Sequence, residues 1–235
     1  MASRNRIPRT NQDEAEKPFW ISFADLMMAL MVLFLVVMAV ALLAVTNTVS
    51  EIEQKEQQHK VDIDQCLGLA VAAAQRHEGV KVDLQRRVID FGDRARFAFG
   101  RSDLSTEQEG VLRRFVPELL DMTGAKSCQR VLKRVVVEGY TDKRGSYLSN
   151  LNLSLMRSQR VLCAMFETKG ADLLNEEQKE AVRDVFLVGG FAFNSSKDTD
   201  EESRRVEMRL EFLGIDEKRA EPSGASAGNF GACSI

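Results

Sequence analysis

Apolar and polar positions divide this chain into two unlike parts. Residues 19–45 are almost entirely apolar, interrupted only by Ser22 and Asp25. At about 1.5 Å per residue this run makes roughly 40 Å of helix, enough to cross a hydrocarbon core of about 30 Å. It predicts a membrane helix opened by Pro18, whose missing N–H is not needed at a helix start. Thr46, Asn47 and Thr48 then leave the membrane. The polar stretch 49–60 prolongs the helix or forms a tether, and the small apolar patch at 66–74 predicts a short helix closed by Gly79.

From Val80 the period changes to that of a folded domain. Val80, Val82 and Leu84 alternate, and residues 88–91, 131–138, 185–188 and 205–212 have the β-branched, short character of strands. Ser105 followed by Gln108 has capping-box spacing and predicts a helix to about Met122, with Pro117 as a kink. A second helix is expected over 149–167, and a third from Asn175. In the last strand Val206, Met208, Leu210 and Phe212 alternate with Glu207, Arg209 and Glu211, the mark of a sheet with one buried face. The chain is thus expected to comprise a polar tail (1–18), a membrane helix (19–45), a linker with a short helix (46–79), a domain (80–213) and a flexible tail (214–235). The domain can bury about two-thirds of its unfolded surface and should fold alone. Its alternation of strands and helices predicts an α/β (α+β) fold, a mixed sheet with helices on one face.

Net charge is −3, so no basic excess points to nucleic acid. Arg4, Arg6, Arg9 and Lys17 precede the apolar run, whereas Glu51, Glu53 and Glu56 follow it. That bias predicts the amino terminus inside and the large carboxy-terminal part outside. The run is too long for a signal-peptide core of 7–15 residues and no A-x-A-like site follows promptly, which favours an uncleaved single-span anchor. The four cysteines form no C-x-x-C pair and the two histidines lack metal-ligand spacing, so no zinc or other metal site is expected. An oxidising compartment would allow disulfides, though the thiols could equally be buried and free. If the helix after residues 131–138 runs back along that strand, Cys163 returns close to Cys128. A Cys128–Cys163 disulfide is then expected, leaving Cys66 and Cys233 for each other or free.

Two places carry candidate chemistry. An ionised group at the position of Asp25 costs on the order of 2.5–3.5 kcal/mol on insertion scales, so it is expected to have a task. A carboxyl within an apolar helix suits an ion carrier; a hydrogen bond to a partner helix is the plainer alternative. Asp142 lies in the loop leaving a strand, and Arg157 lies two turns into the next helix. Together they could hold a ligand bearing both an ammonium and a carboxylate, with Thr141 and Asn150 adding neutral hydrogen bonds. An Asx-turn at Asp142 sealed by a salt bridge to Arg157 is the alternative.

Two segments resemble known families. The span Trp20-Ile-Ser-Phe-Ala-Asp25-Leu-Met-Met-Ala-Leu resembles the membrane helix of MotB-type stator proteins, in which a tryptophan precedes the essential aspartate by five residues. The segment Val137-Glu138-Gly139-Tyr140-Thr141-Asp142, then Gly145, then Asn150-x-x-Leu153-Ser154-x-x-Arg157, resembles the core of OmpA-like peptidoglycan-binding domains. The closing Arg204-Arg205-Val206-Glu207 matches that family's last strand, whereas Tyr140 stands where it usually has histidine. Within this class the chain is similar, by overall likeness and not by any single residue, to the MotB-like subunit of the Zorya anti-phage defence system.

The resemblance implies a single transmembrane helix and an OmpA-like domain in the bacterial inner membrane, amino terminus cytoplasmic and domain periplasmic. It implies two copies of the chain inside a ring of MotA-like partners (ZorA in Zorya), with H⁺ or Na⁺ carried by Asp25 and no other cofactor. Asp142, Arg157, Thr141 and Asn150 would hold a peptidoglycan stem peptide, and Gly139 and Gly145 would let the loop approach it. No enzyme activity is implied. A flagellar MotB stator subunit and a passive wall tether without ion flux are the rival readings.

Overall fold

The apolar run and the polar stretch after it form one helix. In the computed structural model, which describes residues 13–219, 228 and 230–233, α1 spans Asp13–Ala74. Two expected boundaries move. Pro18 lies inside α1 instead of opening it, where it removes one backbone donor. Residues 46–79 are not a linker with a separate short helix, because α1 continues through them to Ala74. Residues 46–60 contain no Gly or Pro, and Thr46, Thr48 and Ser50 turn their hydroxyls onto the carbonyls of Leu43, Val45 and Asn47. Of the expected polar tail, residues 1–12 lie outside the described residues.

The chain divides into two compact units, Met1–Lys55 and Glu56–Ile235. In the first, every side chain from residue 20 to 45 is exposed, Asp25 among them, and the helix is long and apolar enough to cross a membrane. A helix satisfies its own backbone polar groups, which is what a lipid interior demands of a spanning segment.

In the second unit five strands form one sheet in the order β1 (Lys81–Asp83), β2 (Val88–Asp90), β5 (Val206–Phe212), β3 (Leu132–Gly139), β4 (Phe186–Gly190). β3 and β4 are parallel, and the other neighbours are antiparallel. The parallel pair is joined by α4 (Tyr147–Phe166) and α5 (Glu176–Val185), the crossover such a pair requires. α2 (Thr106–Thr123) starts at the predicted capping box, with Ser105 and Gln108 each satisfying the other's backbone N–H, and it runs on through Pro117. Asn175 and Gln178 cap α5 in the same way. Two short helices, α3 (Lys126–Val131) and α6 (Asp200–Ser203), were not foreseen.

The helices share one face of the sheet, as expected. Ile89, Val135, Val137, Met208 and Leu210 meet Leu112, Phe115 and Leu119 of α2, Val161 and Met165 of α4, and Val182 of α5 in a single apolar core. The last turns of α1 belong to it too, through Ile63, Cys66, Leu67 and Ala70. The carboxylate of Asp62, on the same stretch, accepts a bidentate pair from Arg130 Nε and Nη2 at 2.7 and 2.5 Å.

The opposite face is not the solvated surface that the alternation in β5 suggested. Glu138 and Glu207 sit in register across β3 and β5, and both are buried. Arg209 grips Glu138 from Nε at 2.6 Å and Nη2 at 2.9 Å, while Arg86 and Arg205 donate to Glu207. Buried carboxylates are tolerable only when paired in this fashion.

The disulfides also differ from the expected Cys128–Cys163. Cys66 bonds Cys128, and Cys163 bonds Cys233. The reason is helical phase. Val161 and Met165, four residues apart, face the core and turn Cys163 away from it, whereas Cys128 lies inside the core beside α1. The expected flexible tail is tied down in part: Phe166 packs on Phe230 next to the Cys163–Cys233 bond, and Glu217 pairs with Lys133. Residues 220–227, 229, 234 and 235 lie outside the described residues.

Candidate peptidoglycan pocket and membrane acid

The loop between β3 and α4 is shaped by its glycines. A Cβ on Gly139 would stand 1.9 Å from the Ser154 carbonyl oxygen, so this position must be glycine for α4 to lie against β3. Its role is that close approach and not, as expected, freedom of the loop toward a ligand. Gly145 does supply the turn, at φ +95°, a left-handed conformation that side chains disfavour. Ser146 then caps α4, its hydroxyl accepting from Ser149 N. The outcome is a pocket of about 140 Å³ lined by Thr141, Asp142, Asn150 and Arg157, together with Phe99, Gly100, Arg144, Ser149 and Leu153. All four residues singled out in the sequence therefore converge on one place.

Arg157 is fully buried. Its guanidinium donates from Nε to the Arg101 carbonyl at 2.9 Å, from Nη1 to Tyr140 at 2.7 Å and from Nη2 to Ala98 at 3.2 Å, and it stacks over Phe97. Burial pushes it down to about 10, with the Asp142 charge opposing that shift and Arg204 adding to it, so it stays protonated at neutral pH.

Asp142 is also buried, but it does not form the salt bridge to Arg157 that belonged to the alternative reading. Its Oδ1 accepts from the Arg144 backbone N–H at 3.1 Å, the Asx-turn anticipated as the alternative. Its Oδ2 accepts from Arg144 Nη2 at 2.9 Å and Arg204 Nη1 at 3.1 Å. Burial pushes this carboxyl up, but the hydrogen bonds from Arg144 and Arg204 outweigh it and hold the group below the ordinary carboxylate range. Asn150 uses Nδ2 to hold the Arg144 carbonyl at 2.8 Å, which fixes the loop. Thr141 Oγ1 is buried and, among the described residues, has no hydrogen-bond partner. Unsatisfied buried hydroxyls are uncommon, and this one lines the pocket.

Arg144 and Arg204 were not picked out from the sequence. Arg204 stands in the closing Arg204-Arg205-Val206-Glu207 segment, a signal that it could have been implicated. Tyr140 lies under the site: its hydroxyl donates to Glu138 at 2.7 Å, Arg205 stacks on its ring and its carbonyl orients Arg157. Among the described residues no three His, Cys, Asp or Glu side chains converge as a metal site. Asp25 belongs to the first unit, on α1, five residues after Trp20.

Comparison with known proteins finds likenesses in both parts of the chain. Residues 4–57 match the family described as membrane MotB of the proton-channel complex MotA/MotB. The chain is 40% identical over 216 residues to Zorya protein ZorB of Escherichia coli O139:H28, covering 91% of this chain and 88% of that protein. Among solved structures it is similar to a putative MotB-like protein from Desulfovibrio vulgaris (18% identity, 68% of this chain and 97% of that one, TM-score 0.37). It is also similar to the OmpA-like domain of FopA1 from Francisella tularensis (18% identity, 57% and 82%, TM-score 0.36). The chain belongs to the ZorB family, with an amino-terminal segment that matches the MotB membrane-protein family and a carboxy-terminal α/β domain.

Proposed function

We propose that this protein is the ion-coupled, wall-anchored stator subunit of an anti-phage Zorya motor. The reading rests chiefly on one observation: a chain with a lone acid in a membrane-length helix also builds a pocket around buried Asp142 and Arg157. A passive tether needs the second feature and gives no use to the first.

At Asp25 a carboxyl that is neutral against lipid and charged toward an aqueous path shuttles H⁺ or Na⁺ down its gradient. One charge crossing 100 mV releases about 2.3 kcal/mol, enough to bias a conformational step. Two copies of α1 within a ring of MotA-like subunits, ZorA in Zorya, would provide that path, and the carboxy-terminal domain would face the periplasm. There the pocket takes a peptidoglycan stem peptide bearing diaminopimelate. The ligand's ammonium sits on Asp142. Its carboxylate sits on Arg157, which spends three of its five N–H groups on carbonyls and keeps two for a ligand. Thr141 Oγ1 gains the partner it otherwise lacks.

Likeness to a ZorB protein over nine-tenths of the chain favours defence over flagellar rotation. Co-purification with the MotA-like protein encoded beside it, and sedimentation of the full chain with purified peptidoglycan sacculi, test the two ends of the proposal. Asp142→Asn should lose the sacculi and keep the partner. A wild-type chain that fails to sediment with sacculi would refute the anchoring role.

A further inference from the structure

The carboxylate expected to receive a ligand's ammonium is already engaged from within the chain. Two guanidinium groups share Asp142 Oδ2, and they are held very differently. Arg204 is nearly buried and braced by its second bond, from Nε to the Phe97 carbonyl at 3.0 Å. Arg144 is half exposed at the pocket mouth. Its guanidinium carbon lies 4.0 Å from the centre of the exposed Phe99 ring, and its Nε is 3.3 Å from Asp200 Oδ2. Arg144 therefore has other partners at hand if it leaves Asp142: an aromatic face that attracts cations and a second carboxylate. Arg204 and Arg157 have no such freedom.

We propose that Arg144 is a built-in competitor, a side chain that occupies the cation seat on Asp142 and must let go of it, held then by Phe99 and Asp200 alone, before a ligand's ammonium can enter. This rests on the reading of the pocket as a stem-peptide site. An ion pair with one half-exposed partner is weak, so displacement is easy but not free. The gate lowers affinity about two- to five-fold and demands a true cation from the ligand, since a neutral group cannot replace Arg144 on a buried carboxylate. The loop backbone is undisturbed by that release, because Asn150 holds the Arg144 carbonyl and not its side chain.

The test is titration calorimetry of the full chain in detergent with the tripeptide L-Ala-γ-D-Glu-meso-diaminopimelate. A second tripeptide carries 2-aminopimelate at the third position, which keeps the far carboxylate and lacks the far ammonium. Arg144→Gln should bind the first about two- to five-fold more tightly than wild type and the second no more tightly. A matching melting temperature for the variant confirms that it is folded. Unchanged or weakened binding of the first tripeptide by folded Arg144→Gln overturns the gate while leaving the site intact, provided Asp142→Asn loses binding. Absence of binding by wild type and variant alike overturns the stem-peptide reading and the gate with it.

Discussion

Cys66, about two turns before the end of α1, is bonded to Cys128 of α3 across 62 residues of sequence, their Cα atoms 5.0 Å apart. Both are completely buried. Closing a loop of that length restricts the unfolded chain, an effect on the order of 4 kcal/mol in the chain-entropy model. Replacing both cysteines by alanine is therefore expected to remove about 2–4 kcal/mol of domain stability. A lowered urea midpoint for the tryptophan-independent, far-UV signal of the purified chain is the check. An unmoved midpoint would mean that the end of α1 contributes no cross-link to the folding unit.

Asp62 and Arg130 fasten the same stretch of helix by charge. Hydrogen bonding from Arg130 holds the Asp62 carboxyl below its ordinary range, against the opposing push of burial. A carboxyl lowered on folding stabilises the protein above its unfolded pKa and loses that contribution as pH falls through the folded one. Wild type should therefore melt a few degrees above Asp62→Asn at pH 7, and the gap should close below about pH 4. Thermal melts of both proteins between pH 7 and 3 measure it. A gap undiminished between pH 7 and 3 would show that packing, not ionisation, separates them.

Gly139 has no room for a methyl group. Since the clash at 1.9 Å is with the backbone of α4, no side chain can yield, and Gly139→Ala must push the helix off the strand. The expected cost is about 3 kcal/mol or more, at the severe end for single substitutions. Gly145→Ala, in open loop with positive φ, should cost about 1 kcal/mol. Comparison of the two melting temperatures tests the ranking.

Much of this was legible in the sequence, and the exceptions share causes. Capping signals at Ser105 and Asn175 are local chemistry, so both helix starts could be read directly. Asp142, Arg157, Thr141 and Asn150 converge because a strand, a short loop and a helix bring their positions together. The continuity of α1 was hidden because residues 49–60 are polar all round, and helix-favouring Glu, Gln and Lys leave no stripe to detect. Glu207 and Arg209 carry the same alternation whether solvent or an oppositely charged neighbour covers them. The cysteine pairing depends on the phase of α4 against the core, which spacing alone does not reveal.

The pocket should bind its ligand over a wide pH range. Because Asp142 is held below the ordinary carboxylate range, it stays charged through mild acidification. Retention of sacculi is expected to be flat from pH 8 to 5 and to fall only as pH drops below about 4. Arg157→Lys should lose roughly ten-fold or more in affinity, since an ammonium cannot satisfy three carbonyls and a ligand together. Sedimentation across pH and with Arg157→Lys checks both. Retention that falls already at pH 6 would point to a group other than Asp142.

Asp25 is the group on which ion coupling depends. Asn replaces Asp25 with nearly the same shape and no titratable proton. Anti-phage protection should be measured in cells making Asp25→Asn at wild-type levels, with membrane insertion and partner co-purification verified. Loss of protection with assembly intact is the predicted result. Full protection by Asp25→Asn would contradict the ion-coupled account.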